Sequence, residues 1–187
     1  MSKRLFDLLL ALPLFLLSLP LLLLIGWAVR RDSPGPALHW SQRVGRDNVL
    51  FAMPKFRTMR IDTPQVATHL LTDAQQWLTP LGPFLRRSSL DELPQLWCVL
   101  RGQMSLVGPR PALYNQDDLV AARTARGVQR LRPGMTGWAQ VNGRDELPIP
   151  VKVEFDAQYL ARQGWRLDLQ ILWLTLWRVL RSQGVQH

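Results

Sequence analysis

The chemistry of this chain gathers in one short stretch, Leu85-Arg86-Arg87-Ser88-Ser89-Leu90-Asp91-Glu92-Leu93-Pro94-Gln95-Leu96. Two adjacent carboxylates follow two adjacent arginines where a helix is expected to begin. Ser89 and Glu92 match the capping box S-x-x-E ahead of the apolar run Leu96 to Leu100. Pro94 argues against so early a start, since it would fall inside the helix. With Asp91 as the cap, Pro94 falls in the first turn, where a missing N–H costs little. Either way Asp91 and Glu92 stand at the positive end of a helix dipole, a setting that keeps carboxylates ionised and attracts phosphate or a cation–phosphate pair. An Asp-Glu pair at a helix start is ordinarily a dipole complement and no more, so its company decides what it means.

Several cationic segments keep that company. Lys55 and Arg57 lie two apart in Lys55-Phe56-Arg57-Thr58-Met59-Arg60, so in an extended strand both point to one side. They are either a solvated basic edge or a phosphate clamp. In Gly108-Pro109-Arg110-Pro111 two prolines fix the backbone around one guanidinium, which suits bidentate capture of phosphate. The stretch Arg132 to Arg144 combines Gly and Pro with donors at Arg132, Thr136, Gln140, Asn142 and Arg144, and such a loop can wrap a nucleotide or phosphate. Neither a P-loop nor a Rossmann fingerprint is present.

The elements that must position these groups are mostly helical. The 187 residues suit one domain with an appendage, and 23 basic against 14 acidic residues leave a formal charge of +9. That balance expects an anionic partner. One cysteine, Cys98, excludes an intrachain disulfide framework, and His39, His69 and His187 lack zinc-ligand spacing. Leu8 to Val29 carries no charge. As a straight helix it would reach about 33 Å, enough to cross a hydrocarbon core of about 30 Å. Pro13 and Pro20 interrupt it, and both flanks are basic, with Lys3 and Arg4 before and Arg30 and Arg31 after. A helix that bends near Ser18-Leu19-Pro20 and returns to the side it entered satisfies both features better than a plain span.

Beyond the turn Ser33-Pro34-Gly35-Pro36, two strands are expected around Gly45-Arg46-Asp47-Asn48. Ile61 to Trp77 reads as a loop and a helix. Leu113 to Arg130 reads as a mixed-charge helix, and Val151 to Arg162 as an acidic one with Glu154, Asp156 and Tyr159 on a solvated face. The last helix, Trp165 to Arg181, is apolar around most of its circumference, with Asp168, Thr175 and Arg178 as a narrow polar stripe. Its three tryptophans and terminal arginines place it at a membrane interface. The expected fold is α+β, mostly helical with a small β-hairpin. Residues 1–30 form a re-entrant membrane helix, and 31–187 a catalytic domain with interfacial amphipathic helices.

Taken in order, these pieces resemble the bacterial sugar transferase family, the monotopic polyprenyl-phosphate phosphoglycosyl transferases. The matching segments are Lys55 to Met59, Arg87 to Leu96, Ser105 to Pro111 and Arg132 to Arg144, together with Asp7 and Glu154-Phe155-Asp156. They cover nearly the whole chain, and its length resembles the minimal form of the family. The resemblance implies transfer of a sugar 1-phosphate from a UDP-sugar to undecaprenyl phosphate, with release of UMP, on the cytoplasmic face of the bacterial inner membrane. Such a step opens the assembly of a cell-envelope polysaccharide or glycoprotein glycan. It implies Asp91 as the nucleophile of a covalent phosphosugar–aspartyl intermediate, and Mg²⁺ held by Asp91 and Glu92, with Asp156 as a further ligand candidate. A direct proton-transfer role for Glu92 stays open. Lys55, Arg57, Arg86, Arg110, Arg132 and Arg144 are then candidate neutralisers of phosphoryl charge, and Gln140 and Asn142 candidate nucleotide contacts. Ser18 and Pro20 would form the membrane bend; family members often carry Ser-Pro there, whereas this chain has Ser18-Leu19-Pro20. Membrane phospholipid is an expected partner and nucleic acid is not; the oligomeric state stays open, a homodimer included. The rival reading is a membrane-tethered scaffold, or a binder of anionic lipid or nucleic acid, with no need of Asp91.

Overall fold

The computed structural model describes residues 2–64, 74–143 and 147–180. The expected content of the 65–73 stretch, and Arg144, lie outside them. The first element is α1, Lys3–Asp32, with Ser2 accepting a hydrogen bond from the Leu5 amide at its start. It runs unbroken through Pro13 and Pro20, so the expected bend at Ser18-Leu19-Pro20 does not interrupt the helix. A proline removes one backbone hydrogen bond, and the leucines around it keep the remaining turns paired.

Both ends of α1 dock on the same body. At its start, Lys3 reaches Asp168 at 2.8 Å, and Asp7 accepts from Ser105 Oγ at 3.0 Å and the Leu106 amide at 3.2 Å. Arg4 donates to the carbonyls of Val99 and Leu100. At its end, Ile25 and Val29 pack against Phe56 and Leu85, and Asp32 accepts from the Leu81 amide at 3.2 Å. Between these anchors most leucines face outward, Leu17 at 81% and Leu23 at 75% exposed.

The expected hairpin is present: β1, Leu38–Val44, pairs antiparallel with β2, Leu50–Phe56. Asp47 and Asn48 both take positive φ in the five-residue connection 45–49, a conformation that Asn and Asp tolerate better than most residues. A short helix α2, Gly82–Arg87, precedes the carboxylate pair. Then come α3, Leu96–Leu100; β3, Ser105–Val107; and α4, Asp117–Ala125. The expected helix over Leu113 to Arg130 is therefore shorter, with a separate 3-10 turn at Val128–Arg130. Gly127 divides the two with a left-handed backbone.

A second pairing was not legible in the sequence. β4, Gly134–Thr136, lies parallel to β3, Ser105 opposite Gly134 and Val107 opposite Thr136. The two segments cross so closely that a Cβ on Gly134 would collide with Gly108 backbone, which is why glycine stands at this point. The chain closes with α5, Gln140–Gly143; α6, Ile149–Arg162; and α7, Trp165–Leu180. One buried cluster joins them, with Ala11, Met53, Leu96, Val99, Met104, Val107, Tyr159 and Ile171 among its members.

α7 is oriented with its polar stripe inward. Asp168 is fully buried, 2.6 Å from the Tyr159 hydroxyl and 2.8 Å from Lys3, and Thr175 meets Thr136 at 2.7 Å. Trp165, Leu169, Trp173, Leu176 and Trp177 are exposed instead. An aqueous helix would ordinarily show the reverse, with its polar side chains outward.

Candidate active site

The carboxylate pair lies in a 3-10 turn, Leu90–Gln95, that feeds into α3. The capping box is not formed. Ser89 has φ +56° and makes no side-chain cap, whereas a cap residue needs an extended backbone. Asp91 is no cap either; both acids occupy the first turn, and Pro94 sits within the 3-10 segment. A non-glycine residue held left-handed next to two acids is a local strain of a kind that gathers at functional sites.

β2 packs against this turn and carries Lys55 to it. Lys55 Nζ donates to Glu92 Oε1 at 2.8 Å. Arg110 donates to the same oxygen at 2.9 Å and to Oε2 at 3.5 Å. Glu92 is thus held by two cations. Burial works against its charge, but Arg110 and Lys55 outweigh it and hold the carboxyl well below the usual range. Asp91 differs. It is 6% exposed, and among the described residues no hydrogen bond or ion pair reaches it. Burial pushes it up to about 6; Lys55 pulls it down, Glu92 pushes it up, and Arg86 and Arg110 pull it down. Glu92 is therefore kept ionised by Arg110 and Lys55 rather than by a helix end, whereas at Asp91 desolvation outweighs the neighbouring cations. Arg86 belongs to the same cluster. Burial lowers its pKa while the charge of Asp91 raises it, and its Nε donates to Thr58 Oγ1 at 3.0 Å.

The cluster therefore contains Lys55, Arg86, Asp91, Glu92 and Arg110, three cations on two anions. Two adjacent carboxylates with pKa values driven apart are the usual signature of divided roles. Cations gathered around a buried acid suit a phosphate anion.

Other candidates lie elsewhere. Arg57 does not share the direction of Lys55, because β2 ends at Phe56. It is buried and bonded to Ser33 Oγ at 2.7 Å, Ser33 O at 2.8 Å and Pro36 O at 2.8 Å, stapling the exit of α1. Arg132 donates to the Gly102 carbonyl at 2.9 Å. Gln140 donates to Met135 O at 3.2 Å, and its Oε1 is buried without a partner. Asn142 is exposed and donates to Trp138 O at 2.8 Å. Asp156 is not on a solvated face. It is 1% exposed and its Oδ2 accepts from Arg123 Nε at 2.9 Å and Nη2 at 2.7 Å, so that oxygen is engaged by an arginine. Thr58 and Arg123 are the supporting residues that sequence reasoning passed over. Thr58 lies inside the quoted Lys55 to Met59 motif, and Arg123 has no local signal in its mixed-charge helix.

Among the described residues no three acids, histidines or cysteines gather as a metal cage. The donor chemistry still suits a Mg²⁺ shared with substrate, since that ion is ordinarily bound by one or two carboxylates plus phosphate oxygens. Asp91 has oxygens to offer; those of Glu92 are already engaged by Lys55 and Arg110.

Comparison with known proteins supplies the context. A family model described as bacterial sugar transferase matches residues 1–182. The uncharacterized sugar transferase EpsL of Bacillus subtilis (strain 168) is 41% identical, covering 99% of this chain and 90% of its own. The undecaprenyl-phosphate galactose phosphotransferase of Salmonella typhimurium is 37% identical over 97% of this chain and 41% of its own. The UDP-glucose:undecaprenyl-phosphate glucose-1-phosphate transferase of Xanthomonas campestris pv. campestris is 40% identical over 96% and 39%. The chain thus spans about two fifths of the length of the last two.

Proposed function

The chain belongs to the bacterial sugar transferase family, and on that premise we propose that it transfers a sugar 1-phosphate from a UDP-sugar to undecaprenyl phosphate, releasing UMP. One observation carries the reading. Asp91 is a buried carboxylate that no hydrogen bond or ion pair reaches among the described residues; it is set among Lys55, Arg86 and Arg110, beside Glu92, which Lys55 and Arg110 hold. An Asp91 oxygen attacks the β-phosphorus of the donor. The bond from that phosphorus to the bridging oxygen breaks, and UMP leaves with the oxygen and its electron pair. The phosphosugar is then held as an acyl phosphate on Asp91. A lipid-phosphate oxygen attacks the same phosphorus, and Asp91 departs as carboxylate. Raising Asp91 toward neutral pH makes it a stronger nucleophile while enough stays ionised to react.

The cations have separate work. Lys55 and Arg110 hold Glu92 and face the phosphoryl oxygens; Arg86, fixed by Thr58, offsets charge near Asp91. Mg²⁺, held by Asp91 and donor diphosphate oxygens with Glu92 adjacent, would neutralise charge on the leaving UMP. The names of the relatives support a polyprenyl-phosphate acceptor and a UDP-hexose donor.

We further propose that the protein is monotopic, on the cytoplasmic face of the inner membrane. Both ends of α1 contact one body, and its middle exposes leucine on most sides. A helix crossing a bilayer would carry its ends to opposite surfaces, where a body on one side could not meet both. Single cysteines replacing Ser2 and Pro34 should both react with an impermeant maleimide from the cytoplasmic side alone. Labelling of the two from opposite sides would show a true span.

The test of the reaction is UMP release from a panel of UDP-sugars by the full chain in bilayer discs with Mg²⁺. Release that needs both one UDP-sugar and undecaprenyl phosphate is expected. Folded protein that releases no UMP from any donor would refute the assignment in favour of the scaffold reading.

A further inference from the structure

Arg110 is presented by a segment that cannot hold itself. Pro109 and Pro111 have no N–H to donate, so the loop is fixed from outside through its carbonyls. Four successive carbonyls are engaged in this way. Pro109 O accepts from the Gly134 amide at 2.9 Å, and Ala112 O from the Val44 amide at 2.9 Å. Pro111 O accepts from Arg43 Nη1 at 3.3 Å, and Arg110 O accepts from Arg123 Nη1 at 2.8 Å. Arg123 is on α4, and its Nε and Nη2 are fastened to Asp156 of α6 at 2.9 and 2.7 Å. The Arg123 side chain is 10% exposed and that of Asp156 2%. A pair so buried loses hydration on both partners, and its net contribution to folding is often small. Its geometry here does something an apolar pair would not: one planar guanidinium is locked on one edge by a carboxylate and offers the other edge to the Arg110 backbone.

We infer that Arg123 and Asp156 are positioning residues that set the place of Arg110, and through it the Glu92 pair and the phosphoryl-binding cluster. This rests on the proposed reaction for its catalytic consequence but not for its geometry. Asp156 acts two steps from the reacting atoms, as the anchor of an anchor. Lysine cannot replace Arg123, because a single ammonium does not fork between a carboxylate and a carbonyl. A displacement on the order of 1 Å in a charge-stabilising group is enough to cost up to about 100-fold in rate.

A double-mutant cycle separates positioning from mere folding. Arg123→Lys is made in the wild-type chain and in an Arg110→Met chain, and kcat/KM for UMP release and Kd for UDP are measured for all four proteins in bilayer discs. Arg123→Lys should lower kcat/KM roughly tenfold or more in the wild-type background. It should weaken UDP binding there too, and in the Arg110→Met background both changes should shrink below about twofold, the mark of residues acting as one unit. Equal losses in both backgrounds, or no loss in either, overturn the inference. Asp156→Glu moves the anchor by one methylene and should repeat the same non-additivity, so the test survives if Arg123→Lys fails to fold. If UMP release is absent from the wild type, the proposed reaction falls, and the UDP cycle alone decides the positioning claim. UDP binding that ignores Arg123→Lys, or no UDP binding at all, refutes it.

Discussion

Asp91→Asn should abolish turnover and raise the stability of the protein at neutral pH. The first effect follows from removal of the attacking oxygen, for which a loss of roughly 10⁴- to 10⁶-fold in kcat is expected. The second follows from desolvation. Asp91 is pushed from 3.8 to about 6 with burial as the leading cause, so the fold favours its protonated form. The sign is the reverse of a salt-bridged acid. The stability contribution of its protonated form is fully present below the unfolded value of 3.8 and is lost as pH rises through about 6. Ionising Asp91 at pH 7 thus costs the folded state up to about 3 kcal/mol at 1.36 kcal/mol per pKa unit. The neutral amide escapes that cost. Denaturant unfolding at pH 7.5 and pH 4 measures it: the variant should exceed wild type at pH 7.5, and the gap should close at pH 4. Wild-type turnover in the variant would dispose of the nucleophile, and a less stable variant at pH 7.5 would dispose of the unpartnered buried charge. In the wild type, kcat/KM should fall about tenfold per pH unit below the Asp91 pKa.

Glu92→Gln should act in the opposite direction on stability. The ion pairs to Lys55 at 2.8 Å and to Arg110 at 2.9 Å would both be lost. The Glu92 side chain is 18% exposed, which places the loss between exposed pairs, worth at most about 1 kcal/mol, and fully buried ones, near 3–5 kcal/mol. Roughly 2–3 kcal/mol is expected at pH 7. Because the Glu92 carboxyl is held below its ordinary value of 4.5, this stability is present above 4.5 and lost as pH falls through the depressed pKa. The penalty of the variant should therefore shrink in acid. A catalytic signature accompanies it. Glu92 no longer pushes Asp91 up, and the pull of Lys55 on Asp91 is no longer shared with Glu92. The acid limb of the pH–rate profile should move to lower pH, with a lower plateau from a weaker nucleophile. An unmoved limb in a variant that still turns over would separate the two acids electrostatically, contrary to their geometry.

Much of the site could be read without coordinates. Asp91, Glu92, Lys55, Arg86 and Arg110 were all singled out by residue type and local rigidity, and they do converge. Arg57 and Arg132 were chosen on the same grounds and do not. Nothing local distinguishes the two groups. Lys55 is inside β2 and Arg57 is one residue past its end, where strand alternation no longer directs the side chain. Asp156 reads as a surface acid because charge on a helix ordinarily faces water, yet it is buried against Arg123, and Asp168 of the α7 polar stripe is buried against Lys3. The capping box was a sound local pattern, defeated by the left-handed Ser89.

The sequence by itself determined what is periodic or locally constrained: the apolar α1, the hairpin about Gly45 to Asn48, the Pro-Arg-Pro clamp, and the inventory of charges. Those follow from short-range sterics and from burial patterns repeated along a few turns. Only the tertiary structure decided the parallel β3–β4 contact, the inward polar stripe of α7, and the assignment of Arg110 to Glu92, Arg123 to Asp156 and Arg132 to a backbone carbonyl. Partner choice among many like charges depends on distances between segments 18 to 165 residues apart. It also sets how much water each acid loses. Burial pushes both neighbouring carboxylates up; Arg110 and Lys55 reverse it for Glu92, while at Asp91 burial prevails.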